Sequence, residues 1–83
     1  MEELRQEIDS IDRELVRLFC ARMDVSKKIA GYKREHGLPI YVPQRELAVL
    51  NKVAALAGEE YAPYTKELYE TIFRLSRACQ GEK

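Results

Sequence analysis

Apolar residues recur along the first part of the chain at Leu4, Ile8, Ile11, Leu15 and Leu18, and again at Val25, Ile29 and Tyr32. Steps that alternate between four and three place them on one seam of a helix, the a/d pattern of a coiled coil. One seam position, between Leu18 and Val25, holds Arg22 instead. Glu2 and Glu3 suit the start of such a helix; Lys27, Lys28, Lys33 and Arg34 suit its end, in the sense the helix dipole favours. Gly31 costs about 1 kcal/mol inside a helix, so it softens the helix without stopping it. Gly37 followed by Pro39 is the stop. The spacing therefore predicts one helix over residues 2–36.

Two shorter helices follow. Pro43 fits the first position of a helix over 43–57, whose apolar face is Leu47, Leu50, Val53, Ala54 and Leu56, ended by Gly58. Val42, the residue before it, has no side-chain acceptor to cap that helix. Pro63 opens a third helix over 63–80, with Leu68, Ile72, Leu75 and Cys79 on one stripe and Gly81 closing it. No stretch alternates with the period of a strand. The fold class is all-α, one long helix and two shorter ones, in a single domain over residues 1–83.

Length turns this pattern into a packing problem. The long helix would be about 45–50 Å at 1.5 Å per residue, whereas an 83-residue globule is roughly 30 Å across. The helix outruns any body its own chain can make, and the short helices cover only part of it. A second copy offering the same surface is the simplest cover, which argues for a homodimer.

Charge excludes some functions. Lys plus Arg and Asp plus Glu number 14 each, so no net field draws the chain to nucleic acid or to an anionic membrane. No apolar run approaches the roughly 18–20 residues of a membrane span. Met1 leads straight into Glu2 and Glu3, which does not read as a signal peptide. Cys20 and Cys79 stand alone, without a CxxC, and read as reduced, buried thiols of a cytoplasmic protein. One histidine and two distant cysteines make no zinc site, and no phosphate loop, dinucleotide fingerprint or Ser/His/Asp set is visible. No cofactor is implied. His36 sits near a helix C-terminus, where it complements the dipole.

The remaining candidates are polar residues on packed faces. A charge on a seam costs several kcal/mol unless it is paired, so Arg22 needs a partner. That partner is an acid of a neighbouring helix, or an anionic ligand. Lys33 lies eleven residues on, a net rotation of about 20° at 100° per residue and about 16 Å along the axis, so the two long side chains can span a small anion. Arg5 is rotated by about 260° from Arg22 and lies about 25 Å away; if it serves such a site, it serves that of the other subunit, and otherwise it is a solvated arginine. Arg45 and Glu46 occupy the first turn of the second helix, where an acid is favoured by the dipole. Ser76 and Gln80 are i and i+4 on the third, where Ser76 can alternatively bond back to a carbonyl one turn earlier.

Taken in order, these residues resemble the all-helical class of chorismate mutases. The matching pieces are LRQEIDSIDRELVRLFCAR, then IAGYK, then GLPIYVPQRE at the turn into the second helix, then SRACQ. The resemblance implies an intertwined homodimer with two equivalent sites and no cofactor. Arg22 and the other subunit's Arg5 would bind the two carboxylates of chorismate. Lys33 would bind a carboxylate and the ether oxygen, and Gln80 would donate to the same ether oxygen. Glu46 would accept from the ring hydroxyl beside the backbone N–H of Val42; Arg45 would support Glu46, and Ser76 would touch the ring carboxylate. Many relatives carry Asp where this chain has Val42, so the cap of the second helix is lost here. The implied reaction is the Claisen rearrangement of chorismate to prephenate in aromatic amino-acid biosynthesis. The same cations also suit elimination of pyruvate from isochorismate. A non-catalytic helical dimerisation module would instead have Arg22 and Lys33 neutralised by the protein's own acids.

Overall fold

A computed structural model describes residues 1–81; the last two positions of the expected domain, 82 and 83, lie outside the described residues. The chain forms α1 (Glu2–Glu35), α2 (Pro43–Ala57) and α3 (Ala62–Cys79), with no strand among the described residues. The boundaries differ from the sequence expectation by one residue, within the fraying of helix ends.

Each end has a local cause. α1 runs through Gly31 without a break and stops at His36. Gly37 then takes the left-handed conformation (φ 65°), its N–H donating to the Arg34 carbonyl at 3.3 Å, while the Leu38 N–H donates to the Lys33 carbonyl at 2.8 Å. That pair of bonds is a Schellman motif, and a Cβ at position 37 would strain it. His36 shields the same end: its Nδ1 lies 2.8 Å from the Tyr32 carbonyl and its ring stacks on Tyr32. α2 begins with Pro43 and has no side-chain cap from Val42.

α2 packs on α3, α3 touches α1, and α1 and α2 do not meet. The resulting body is 52 × 25 × 19 Å with a radius of gyration of 15.3 Å, against about 12 Å for a compact globule of this length. Among the described residues only Ala30, Phe73 and Ser76 are buried. The α1 seam residues Leu4, Ile8, Ile11, Leu15, Leu18, Val25, Ile29 and Tyr32 remain between 49% and 59% exposed. Below them an apolar trough of about 430 Å³ runs between α1 and α3, lined by Leu15, Leu18 and Phe19 on one side and Leu68, Ile72 and Leu75 on the other.

Two apolar stripes stay largely uncovered. The α3 stripe Leu68, Ile72, Leu75 and Cys79 is left open in this chain: Leu68 and Leu75 are exposed and line the trough, and Cys79, like Cys20, is an exposed free thiol rather than the buried one expected. The buried α3 residues are Phe73 and Ser76, one step round the helix. On α2, Leu47 and Leu56 are exposed, while Glu46, Val49, Leu50, Val53, Ala54 and Ala57 form the half-buried stripe. The most apolar stripes are thus the ones this chain leaves uncovered.

Candidate active site

The covered stripes converge at the C-terminal half of α1 and enclose a cleft of about 450 Å³. Arg22, Lys33, Val42, Arg45, Glu46, Ser76 and Gln80 all line it, together with Arg77, Phe73 and the aliphatic side chains of Val25, Ile29, Ile40 and Val49. Four cations thus face one carboxylate. These positions are spread over 59 residues of sequence and reach one cavity because α1 and the α2–α3 pair approach from opposite sides. Arg5 does not line it; at the far end of α1 it is about 25 Å along the axis from Arg22.

Arg22 is half-buried, and its guanidinium lies 5.5 Å from the Tyr69 ring centroid and 5.6 Å from that of Phe73. Cation–π contact at this range offsets part of the cost of withdrawing the charge from water. Lys33 Nζ donates to the Ile40 carbonyl at 3.2 Å, which ties the connection after α1 back to the helix. Neither cation is in an ion pair among the described residues, where the salt bridges are Arg17–Glu14 and Arg77–Glu46. Both therefore keep unspent charge toward the cleft.

Ser76 is 6% exposed and its hydroxyl points at Met23 Sδ, 3.5 Å away, rather than back to its own helix. Sulfur is a weak acceptor, so little is lost if that hydroxyl turns to a better one. Gln80 is half-buried at the end of α3, and its backbone carbonyl accepts from Arg34 Nη1 at 3.4 Å, joining the ends of α1 and α3.

Glu46 is the acid of the cleft, and its partner corrects the expectation. It pairs with Arg77, whereas Arg45, expected to support it, lines the cleft without an ion pair among the described residues. The Arg77 guanidinium also lies 4.6 Å from the centroid of the Tyr41 ring. One α3 side chain thus grips both the connection and the first turn of α2, the segment that lacks a side-chain cap. Arg77 was missed because Ser-x-x-x-Gln skips over it. The signal was present: Phe73, Ser76, Arg77 and Gln80 stand at i, i+3, i+4 and i+7, one helical stripe.

Among the described residues no group of His, Cys, Asp and Glu is placed to hold a metal ion, and no helix is long and apolar enough to cross a membrane. A cleft with several cations, one acid and two neutral donors is instead suited to a small organic anion that also carries a hydroxyl.

Comparison with known proteins points the same way. The family model described as chorismate mutase type II matches residues 4–81. The T-protein of Haemophilus influenzae is 42% identical over 74 residues, covering 89% of this chain and 19% of its own. The bifunctional chorismate mutase/prephenate dehydratase of Aquifex aeolicus is 43% identical over 81 residues, covering 95% of this chain and 22% of its own. The 4-amino-4-deoxychorismate mutase of Streptomyces venezuelae is 34% identical over 84 residues, covering 99% of this chain and 80% of its own. The chain spans about a fifth of the length of the first two relatives. No solved structure matches significantly.

Proposed function

The chain belongs to the chorismate mutase type II family, and from that premise we propose that it is a cytoplasmic chorismate mutase, rearranging chorismate to prephenate on the way to the aromatic amino acids. The observation that carries the reading is the cleft itself. It gathers Arg22, Lys33, Val42, Arg45, Glu46, Ser76 and Gln80 from three helices and the connection before α2, and among the described residues Arg22 and Lys33 are in no ion pair.

The working unit is an intertwined homodimer. Support comes from the exposed α1 seam and the apolar trough beside it, whose burial against a second copy would remove from water a surface of the kind that rarely stays bare. Arg5 then reaches the site of the other subunit, because its own lies about 25 Å away along the helix. Arg22 and that Arg5 hold the two substrate carboxylates. Lys33 contacts a carboxylate and the ether oxygen, and Ser76 the ring carboxylate. Glu46 accepts from the ring hydroxyl, beside the backbone N–H of Val42.

Chemically, one molecule rearranges. The ether C–O bond breaks while a new C–C bond forms between the enolpyruvyl arm and the ring, and nothing is added or lost. No nucleophile or proton relay is needed. The site holds the arm folded over the ring and stabilises negative charge building on the ether oxygen. Lys33 and Gln80 are the donors aimed at that oxygen, and they gain more in the transition state than in the ground state. Gln80 carries no ionisable proton and donates without first being charged.

The test is a spectrophotometric chorismate assay of wild type beside Lys33→Ala. Wild type should consume chorismate and yield prephenate, and Lys33→Ala should lose about 10²-fold or more in kcat, the scale of a lost oxyanion donor. Stable chorismate absorbance with wild type refutes the mutase reading. An alanine variant within a few-fold of wild type removes Lys33 from the mechanism. Supplying isochorismate in parallel, and finding pyruvate and salicylate instead, would reassign the reaction on the same fold.

A further inference from the structure

We propose that Arg77 is a specificity-determining residue: by neutralising Glu46 it makes the ring-facing end of the cleft accept a hydroxyl and reject an ammonium group. The inference rests on the reading that Glu46 meets the ring substituent of the substrate. Arg77 itself has no counterpart among the residues the family resemblance assigns.

Three observations carry it. Arg77 and Glu46 form an ion pair, and both line the cleft. Their side chains are only 26% and 24% exposed, so the pair is withdrawn from bulk water and its charges are poorly screened. The guanidinium is also held over the Tyr41 ring at 4.6 Å, which fixes it beside the carboxylate rather than leaving it to wander.

The consequence follows from the lone pairs and the charge. An ionised carboxylate has about four acceptor sites, so Glu46 can hold Arg77 and still accept a hydroxyl proton. A neutral hydroxyl needs only that acceptor. An ammonium group at the same ring position would gain most from an unpaired carboxylate. Here it meets a carboxylate already engaged by Arg77, with a guanidinium of its own sign close by. Discrimination is built from that repulsive element as much as from the attractive one. The amino and hydroxyl chemistries are both named among the relatives of this chain, so the choice between them is one that this scaffold has to make somewhere.

The experiment measures kcat/KM for chorismate and for 4-amino-4-deoxychorismate with wild type, Arg77→Met, Arg77→Lys and Glu46→Gln. Where the amino compound turns over too slowly, its competitive Ki against chorismate is read instead. Arg77→Met, which leaves Glu46 with its full charge, should move the ratio by about 10-fold or more toward the amino substrate. Arg77→Lys, which keeps the cation and loses the planar fork, should stay near the wild-type ratio. Glu46→Gln keeps Arg77 and removes its counter-charge, so the ratio should move the opposite way; this arm stands even if Arg77→Met does not fold. Equal losses on both substrates in Arg77→Met would mean a merely structural strut and overturn the proposal, as would an unchanged ratio or an Arg77→Lys that shifts as far as the methionine variant. Failure of wild type to act on chorismate would overturn the mutase reading instead, so the two failures are told apart in one data set.

Discussion

The two halves of α1 carry the same half-exposed seam and differ in what stands beside it. From Leu4 to Leu18 the apolar residues of the helix stand more than half exposed, and Leu15 and Leu18 border only the open trough shared with Leu68, Ile72 and Leu75 of α3. From Arg22 onward the seam residues Val25, Ile29 and Tyr32 are still 49–58% exposed, but Ala30 beside them is buried to 1%, and Arg22, Val25, Ile29 and Lys33 line a cleft. One half holds apolar surface that the single chain leaves uncovered; the other sets an expensive seam charge against a cleft, where the proposed function makes it a binding group. The comparison teaches that an unsatisfied apolar stripe and an unsatisfied cation are two forms of the same signal. Each marks a surface left open by this chain, which the proposed function assigns to a second copy in the first half and to a small anion in the second.

The largest effect should come from breaking the bare half. Ile11→Asp puts a charge on the α1 seam at a position that does not line the cleft, and an unpaired charge in a packed interface costs several kcal/mol. Sedimentation should show loss of the dimer, with chorismate turnover abolished, although no cleft residue has changed. A variant that stays active and sediments as a monomer would separate the two halves and sink the dimer.

A sharper test joins the halves across subunits. Arg5→Ala and Arg22→Ala should each be nearly inactive, and mixing them through unfolding and refolding should restore roughly a quarter of wild-type sites, because half the dimers are mixed and each of these has one intact site. If no activity returns on mixing, Arg5 and Arg22 serve the same chain and the crossed arrangement is wrong.

The smallest effect lies at the edge of the packed half. Val42→Asp supplies the acceptor that the first turn of α2 lacks and should raise stability by about 1 kcal/mol, read as a higher midpoint in denaturant. No gain would mean that the grip of Arg77 on Tyr41 and Glu46, with Lys33 on the Ile40 carbonyl, already secures that end.

Much of this was legible in sequence because it depends on period and punctuation. Three helices, their ends at Gly37, Pro43, Gly58 and Gly81, and the oddity of Arg22 and Lys33 on one face follow from 3.6 residues per turn and from the few residues that tolerate helix ends. Among the site residues, those on a seam or in a family motif could be named in advance, and the cleft gathers all of them except Arg5. Burial was misread. Leu68, Leu75, Leu47 and Leu56 look like core by hydropathy and are exposed in this chain. Hydropathy reports that a surface must be covered somewhere, and it does not say by which chain.

The sequence by itself determined the elements, their order, and which polar residues could not be ordinary surface. Tertiary structure alone decided that Glu46 answers to Arg77 and not to its neighbour Arg45, that the Ser76 hydroxyl turns toward Met23, and that the end of α3 is tied to α1 through Arg34 and Gln80. The physical reason is range. Helical periodicity orders residues within a few turns of one another, whereas an ion pair between positions 31 residues apart exists only after two helices have packed at a particular angle.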